Sequence, residues 1–181
     1  MEQCDISRRR LLLGAGCLLA TSLLPVSALA SQTAPVRKLR LYNPHTGERV
    51  SAAYWENGQY DRGTLKEFNH LMRDYRANQL HNIDPKLFDQ LFELQRKLGA
   101  AREIHVICGY RSPHTNAMLR SRSKGVAKKS LHMTGQAIDL AIPGFNLARV
   151  RQAALSLKAG GVGYYPRSGF VHVDTGQVRH W

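Results

Sequence analysis

The sequence predicts a single α+β domain, an antiparallel sheet with helices packed on it, preceded by an N-terminal segment of different character. Three observations predict it. Apolar residues recur at helical spacing at Leu65, Phe68, Leu71, Met72 and Tyr75, and again at Leu87, Leu91, Leu94 and Leu98. The second half carries short β-branched runs, EIHVICGY, QAIDLAI and FVHVD, separated by turn residues. The chain has 181 residues, 43% of them hydrophobic and 22% charged, which suits one real core and excludes a disordered chain.

Residues 1–30 read as an export signal. SRRRLLLGAGCLLATSLLPVSALA has a basic start at Arg8 to Arg10, an apolar run from Leu11 and a small-residue ending at Ala28-Leu29-Ala30. Cleavage is expected after Ala30, and the adjacent arginines after Ser7 point to the twin-arginine route. The run is short for a membrane span and is broken by Gly14, Gly16 and Pro25, so no stable insertion is expected after cleavage. A lipoprotein acylated at Cys17 is the alternative, against which Gly14 stands where a lipobox usually has Leu. The expected mature domain is residues 31–181, without internal repeat or long linker. It keeps one cysteine, Cys108, which cannot close an internal disulfide and reads as a buried, inert thiol.

Within that domain, KLRLYNPHTGERVSAAYW alternates on either side of a turn and reads as a hairpin. TLKEFNHLMRDYRANQL follows as a helix with a capping-box pattern at Thr64 and Glu67. DPKLFDQLFELQRKLG is a second helix, capped by Asp84, with Pro85 in its first turn and Gly99 as its stop. EIHVICGY is a strand, and SPHTNAMLRS a short helix with Ser112 as cap. A basic loop bearing Arg120, Arg122, Lys124, Lys128 and Lys129 leads to the strand QAIDLAI. Asn146 caps the last helix, which Gly160-Gly161 ends, and two short strands around Pro-Arg-Ser-Gly complete the order.

The formal charge is +13, from 26 basic and 13 acidic side chains, and setting residues 1–30 aside leaves +12. Such a surplus favours a polyanionic partner. Export argues against nucleic acid and for an acidic polymer of the cell envelope.

Three strand positions conflict with simple burial. Asp139 shares its face with Ala137 and Ala141, while Ile138, Leu140 and Ile142 point the other way. His172 lies between Val171 and Val173, and Asp174 ends that strand. With His132 just ahead of the Asp139 strand, a His/Asp/His set makes three protein ligands for one catalytic zinc, with a fourth position open. Pairing of Asp139 with one of the many arginines is the plainer alternative.

The pattern Ser130-x-His132-x-x-Gly135-x-Ala137-x-Asp139, with a later strand carrying His172 and with Arg111 in CGYRSPHTN upstream, resembles the zinc D-Ala-D-Ala peptidases of family M15. The hedgehog signalling domain and the murein endopeptidases are relatives in that superfamily, and the murein-endopeptidase branch is the nearest in kind. The resemblance implies that His132, Asp139 and His172 hold one zinc ion and that Arg111 holds the scissile carbonyl or its oxyanion. It implies further that Ser130 lines the substrate cleft and that the substrate is peptidoglycan, cut at L,D links between two diaminopimelate residues. The dipeptidase branch has a Glu three residues before the third ligand, where this chain has Gly169. Asp174 is then the nearest candidate for catalytic base, or itself the third ligand with His172 as a polarising residue. A D,D-peptidase and a non-catalytic, zinc-holding wall-binding module are the alternative functions. A monomer at the cell envelope is expected.

Overall fold

The structure, a computed structural model, describes residues 35–99, 101–123 and 125–181; the expected signal and Lys124 of the basic loop lie outside them. Among the described residues no helix is long and apolar enough to cross a membrane.

The expected hairpin is β1 (Arg37–Tyr42) and β2 (Arg49–Glu56), paired antiparallel with Leu39 opposite Ala52 and Leu41 opposite Val50. The sequence reading did not anticipate β3 (Gln59–Tyr60), which folds back on β2 through Asn57 and Gly58. Both turn residues have positive φ, the conformation a tight hairpin turn demands.

The first helix is shorter than its apolar spacing suggests. α1 covers Arg62–Leu71, and its cap is Asp61, whose carboxylate accepts from the Thr64 N–H at 2.6 Å. It stops at Met72 because Asp74 offers the backbone a different partner. The buried Asp74 carboxylate accepts from the Arg76 and Ala77 N–H groups, drawing the chain into a turn closed by an Asp74–Gln79 bridge. α2 (Pro85–Leu98) starts and stops as its sequence predicts, with the Asp84 side chain capping Lys86 N–H and Gly99 in the left-handed region.

β4 (Ile104–Cys108), α3 (Pro113–Arg122), β5 (Ala137–Ala141), α4 (Leu147–Leu157), β6 (Gly161–Tyr165) and β7 (Phe170–Asp174) follow in the expected order, with a last short strand, β8 (Arg179–His180). The eight strands form one sheet in the order β3-β2-β1-β4-β5-β7-β6-β8. Pairing is antiparallel through β4, β5, β7 and β6, the part expected to carry the site. Two joints are parallel, β1 to β4 and β6 to β8, so the sheet is mixed. Long connections allow this: α1 and α2 lie between β1 and β4 in the chain, and β7 lies between β6 and β8.

α1, α2 and α4 pack on the sheet. Phe68, Leu87, Phe88, Leu91 and Leu94 of the helices meet Leu41, Ile104, Val106, Ile138, Leu140 and Val171 of the strands in one core. This burial fixes the register of β5. Ile138, Leu140 and Ile142 are taken by the core, so Ala137, Asp139 and Ala141 must face the other side.

Candidate metal centre and cleft

Asp139 is directly opposite His172 in the β5–β7 pairing, an arrangement that places side chains of one face about 5 Å apart at Cβ. A bulge brings a third strand residue to the same point. Between Val106 and Cys108, β4 slips by one residue against β5, so Cys108 rather than Ile107 stands opposite Asp139. His132 arrives from a 3-10 turn, Leu131–Thr134, capped by Ser130, whose hydroxyl accepts from the His132 N–H at 3.4 Å. Gly135 ends the turn with φ +68°, and an added Cβ would strike the Asn82 carbonyl, so no other residue fits that exit.

Three donor atoms converge. His172 Nδ1 is 2.9 Å from Asp139 Oδ1, His132 Nε2 is 3.3 Å from the same oxygen, and the two ring nitrogens are 3.2 Å apart. Donors at zinc distances of about 2.0–2.2 Å in tetrahedral geometry stand about 3.3 Å from one another, so the spacing fits a single ion. The far side of each ring is already committed. His132 Nδ1 lies 2.8 Å from the Gly109 carbonyl, which only a ring N–H can satisfy, and His172 Nε2 lies 3.1 Å from Asp174 Oδ2. With protons on those atoms, the remaining nitrogens turn lone pairs toward Asp139. Without a shared proton or a metal ion these lone pairs would face one another, so the cluster has the donor set to hold a metal ion.

The electrostatics agree. Burial pulls the His132 pKa down, but Asp139 and Cys108 outweigh it and push it up to about 10. Burial raises Asp139, yet His132 and His172 together hold it well below the usual carboxylate range. A metal entering here therefore displaces a proton.

Cys108, read from sequence as inert, faces this centre. Its Sγ, His132 and Asp139 present ligand atoms within 4.8 Å of one another, a second three-donor set sharing two members with the first. The His172 set is the tighter, with every separation at or below 3.3 Å. The thiol also faces Arg111, whose Nη2 lies 3.5 Å from Sγ.

Arg111 is nearly buried beside Asp139, its Nη2 3.7 Å from Oδ2, and its Nη1 donates to Asn116 Oδ1 at 3.3 Å. Its Nε is buried without a partner. The guanidinium is thus held at the centre while part of its donor capacity stays unused. Asp74, missed in the sequence, supports this placement by accepting from the Ser112 N–H at 2.9 Å, which anchors the start of α3 next to Arg111.

Asp174 reaches the centre only through His172. It is fully buried, and its two oxygens accept from Arg179 Nη1 and Nη2, the Gly161 and Gly176 N–H groups, and His172 Nε2. Burial raises its pKa, but these donors, His172 and Arg179 first, hold it low. An ionised carboxylate with every face occupied is not placed to take a proton from water.

The centre lies at the floor of a cleft of about 360 Å³. Arg111, Lys129, Ser130 and Arg179 line it together with Tyr165, Phe170 and Trp181. Nothing in the periodicity marks the aromatic part of this lining, because Trp181 and Arg179 fall outside any amphipathic pattern.

Comparison with known proteins follows the same line. The family profile described as "Peptidoglycan L,D-endopeptidase MepK" matches residues 31–181. The chain is 51% identical over 182 residues to peptidoglycan L,D-endopeptidase MepK of Escherichia coli strain K12, covering 100% of both chains. It has the same identity and coverage with the Shigella flexneri protein of that name. It is 48% identical over 183 residues to the probable peptidoglycan L,D-endopeptidase MepK of Haemophilus influenzae, covering 100% of this chain and 98% of the relative.

Proposed function

The chain belongs to the peptidoglycan L,D-endopeptidase MepK family, and from that premise we propose that it is a zinc endopeptidase of the cell envelope that hydrolyses peptide cross-links of peptidoglycan. The observation that carries this is the meeting of three lone-pair donors, His132 Nε2, Asp139 Oδ1 and His172 Nδ1, beneath an open cleft with Arg111 at its side.

Those three residues would hold one zinc ion, which when bound would supply Lewis-acid chemistry and lower the pKa of a water. The chain's own groups do the rest. Arg111, with an unpartnered buried Nε, offers positive charge to the carbonyl oxygen as negative charge develops there. Asn116 and the neighbouring thiol hold the guanidinium in place. Ser130 caps the turn that presents His132 and lines the cleft where the stem peptide lies. Asp174 fixes the tautomer and tilt of His172 rather than serving as base. The basic surplus of the domain suits an insoluble polymer rich in carboxylates, and the L,D-endopeptidase description of the family makes links between two diaminopimelates its expected target. Residues 1–30 are read as its export signal, with Arg8 and Arg9 directing the twin-arginine route; that the family profile begins at residue 31 supports this.

The test incubates purified protein, with zinc or with chelator, with muropeptide dimers joined either between two diaminopimelates or between D-alanine and diaminopimelate. The first dimer alone should be cut, chelation should abolish cutting and zinc should restore it. Equal cleavage by the chelated protein and by His132→Ala would sink the zinc reading. Binding to sacculi without cleavage of either dimer would make the protein a wall-binding module instead.

A further inference from the structure

Trp181 follows β8 and is 46% exposed, yet both its backbone and its ring are fixed. Its N–H donates to the Val162 carbonyl at 3.2 Å, and its own carbonyl accepts from Tyr164 N–H at 3.1 Å. The indole Nε1 donates to the Tyr165 hydroxyl at 2.7 Å. The Arg179 guanidinium carbon lies 5.0 Å from the ring centre, a cation–π contact. Below the ring is Gly163, the residue opposite His172 in the β6–β7 pairing. A Cβ there would fall 2.7 Å from the indole, so the glycine makes the seat the ring occupies. From that seat the indole stands with its centre 5.3 Å from the His172 ring, in the wall of the cleft. Tyr165 and Phe170, stacked at 4.6 Å, continue the same wall.

A rigid indole that keeps almost half its surface in water, beside a metal-centre histidine, gains nothing for the core from that exposed half. It is preorganised for contact, since the side-chain entropy that binding would cost has already been spent in folding. Arg111, Lys129 and Arg179 line the same cleft and make it cationic. A cationic cleft with an exposed, fixed indole in its lining suits an aliphatic chain that carries carboxylates. Resting on the endopeptidase reading above, we propose that Trp181 is a specificity-determining residue. Its indole is the platform for the aliphatic chain of the stem-peptide residue flanking the scissile bond.

The test is kinetic and spectroscopic. With dimers joined between two diaminopimelates, Trp181→Ala should raise KM about tenfold, leaving kcat within about twofold and zinc content unchanged, while Trp181→Phe should restore most of the affinity. Unchanged KM in Trp181→Ala would overturn the proposal. So would loss of zinc or of kcat alone, which would make the ring a packing support for His172. Trp55 and Trp181 are the two tryptophans, so zinc-loaded Trp55→Phe reports on Trp181 alone. Its emission should shift to shorter wavelength as the disaccharide-tripeptide monomer is titrated in, and a flat response would reject the platform. If the native protein cleaves no dimer, the endopeptidase reading fails, while the emission titration still decides whether Trp181 meets a stem peptide.

Discussion

Asp139 and Asp174 sit on neighbouring strands, 6% and 0% exposed, and both carboxylates are held ionised, yet their surroundings are opposite. Five donors close on Asp174, two from Arg179, two from glycine N–H groups and one from His172. Asp139 faces two ring nitrogens, whose protons a metal ion would displace, and a guanidinium at 3.7 Å, beyond hydrogen-bonding distance. A buried carboxylate with all its lone pairs occupied is a fixed part of the framework. One whose neighbours are exchangeable ring protons at the floor of an open cleft has the surroundings a metal ligand needs.

Removing the open carboxylate should have the largest effect. Asp139→Asn should lose zinc and cut cleavage at least about a thousandfold, about 4 kcal/mol of transition-state stabilisation, with the fold retained by circular dichroism. Zinc retained at full occupancy with activity intact would erase the distinction. Arg111→Ala should lower kcat about a hundredfold to a thousandfold while zinc content holds, since its charge acts on the substrate oxygen and not on the metal. Loss of zinc instead would move Arg111 into the framework class beside Asp174. For the closed carboxylate, Asp174→Asn should weaken zinc binding about tenfold to a hundredfold by loosening His172, measured by chelator competition. Complete inactivity of Asp174→Asn at saturating zinc would restore it as a catalytic base.

The smallest effect tests the same rule far from the cleft. Asp89 on α2 is another well-filled carboxylate, accepting from Arg37 at 2.6 Å, Tyr54 at 3.0 Å and Tyr60 at 2.6 Å. Burial and this carboxylate push Tyr60 up to about 12 and raise Tyr54 in the same direction. A raised folded-state value means the contribution is full below the ordinary tyrosine pKa of about 10 and is lost as pH rises through the folded value. The melting temperature should therefore hold up to about pH 10 and fall above it, and fall less in Tyr60→Phe. A decline beginning near neutrality would point to a different group.

The local elements were legible because their signals are local. Asp84, Pro85 and Gly99 bracket α2, Ser112 and Pro113 open α3, and Asn146 opens α4, each through contacts within a few residues. The end of α1 is less legible because Asp74 both draws in the Arg76 and Ala77 N–H groups and is held in place by Ser112, 38 positions away. β8 and the parallel joints escaped notice for the same reason: two residues carry no period, and pairing direction depends on what is packed between.

For the site, Asp and His in apolar strands, costly without a partner, drew attention to His132, Asp139 and His172, but spacing left pairing of Asp139 with an arginine open, and it was the wider pattern with Ser130, Gly135 and Arg111 that joined them into one ligand set. Their order along the chain and the basic surplus were also present in the sequence alone. The roles around them were decided by the fold. Whether Asp174 faces water or Arg179, whether the β4 bulge turns Cys108 inward, and whether Gly163 leaves a seat for Trp181 depend on register and on contacts between distant residues. Those are set when the core claims one face of β5 and β7, and no pattern of neighbours along the chain encodes them.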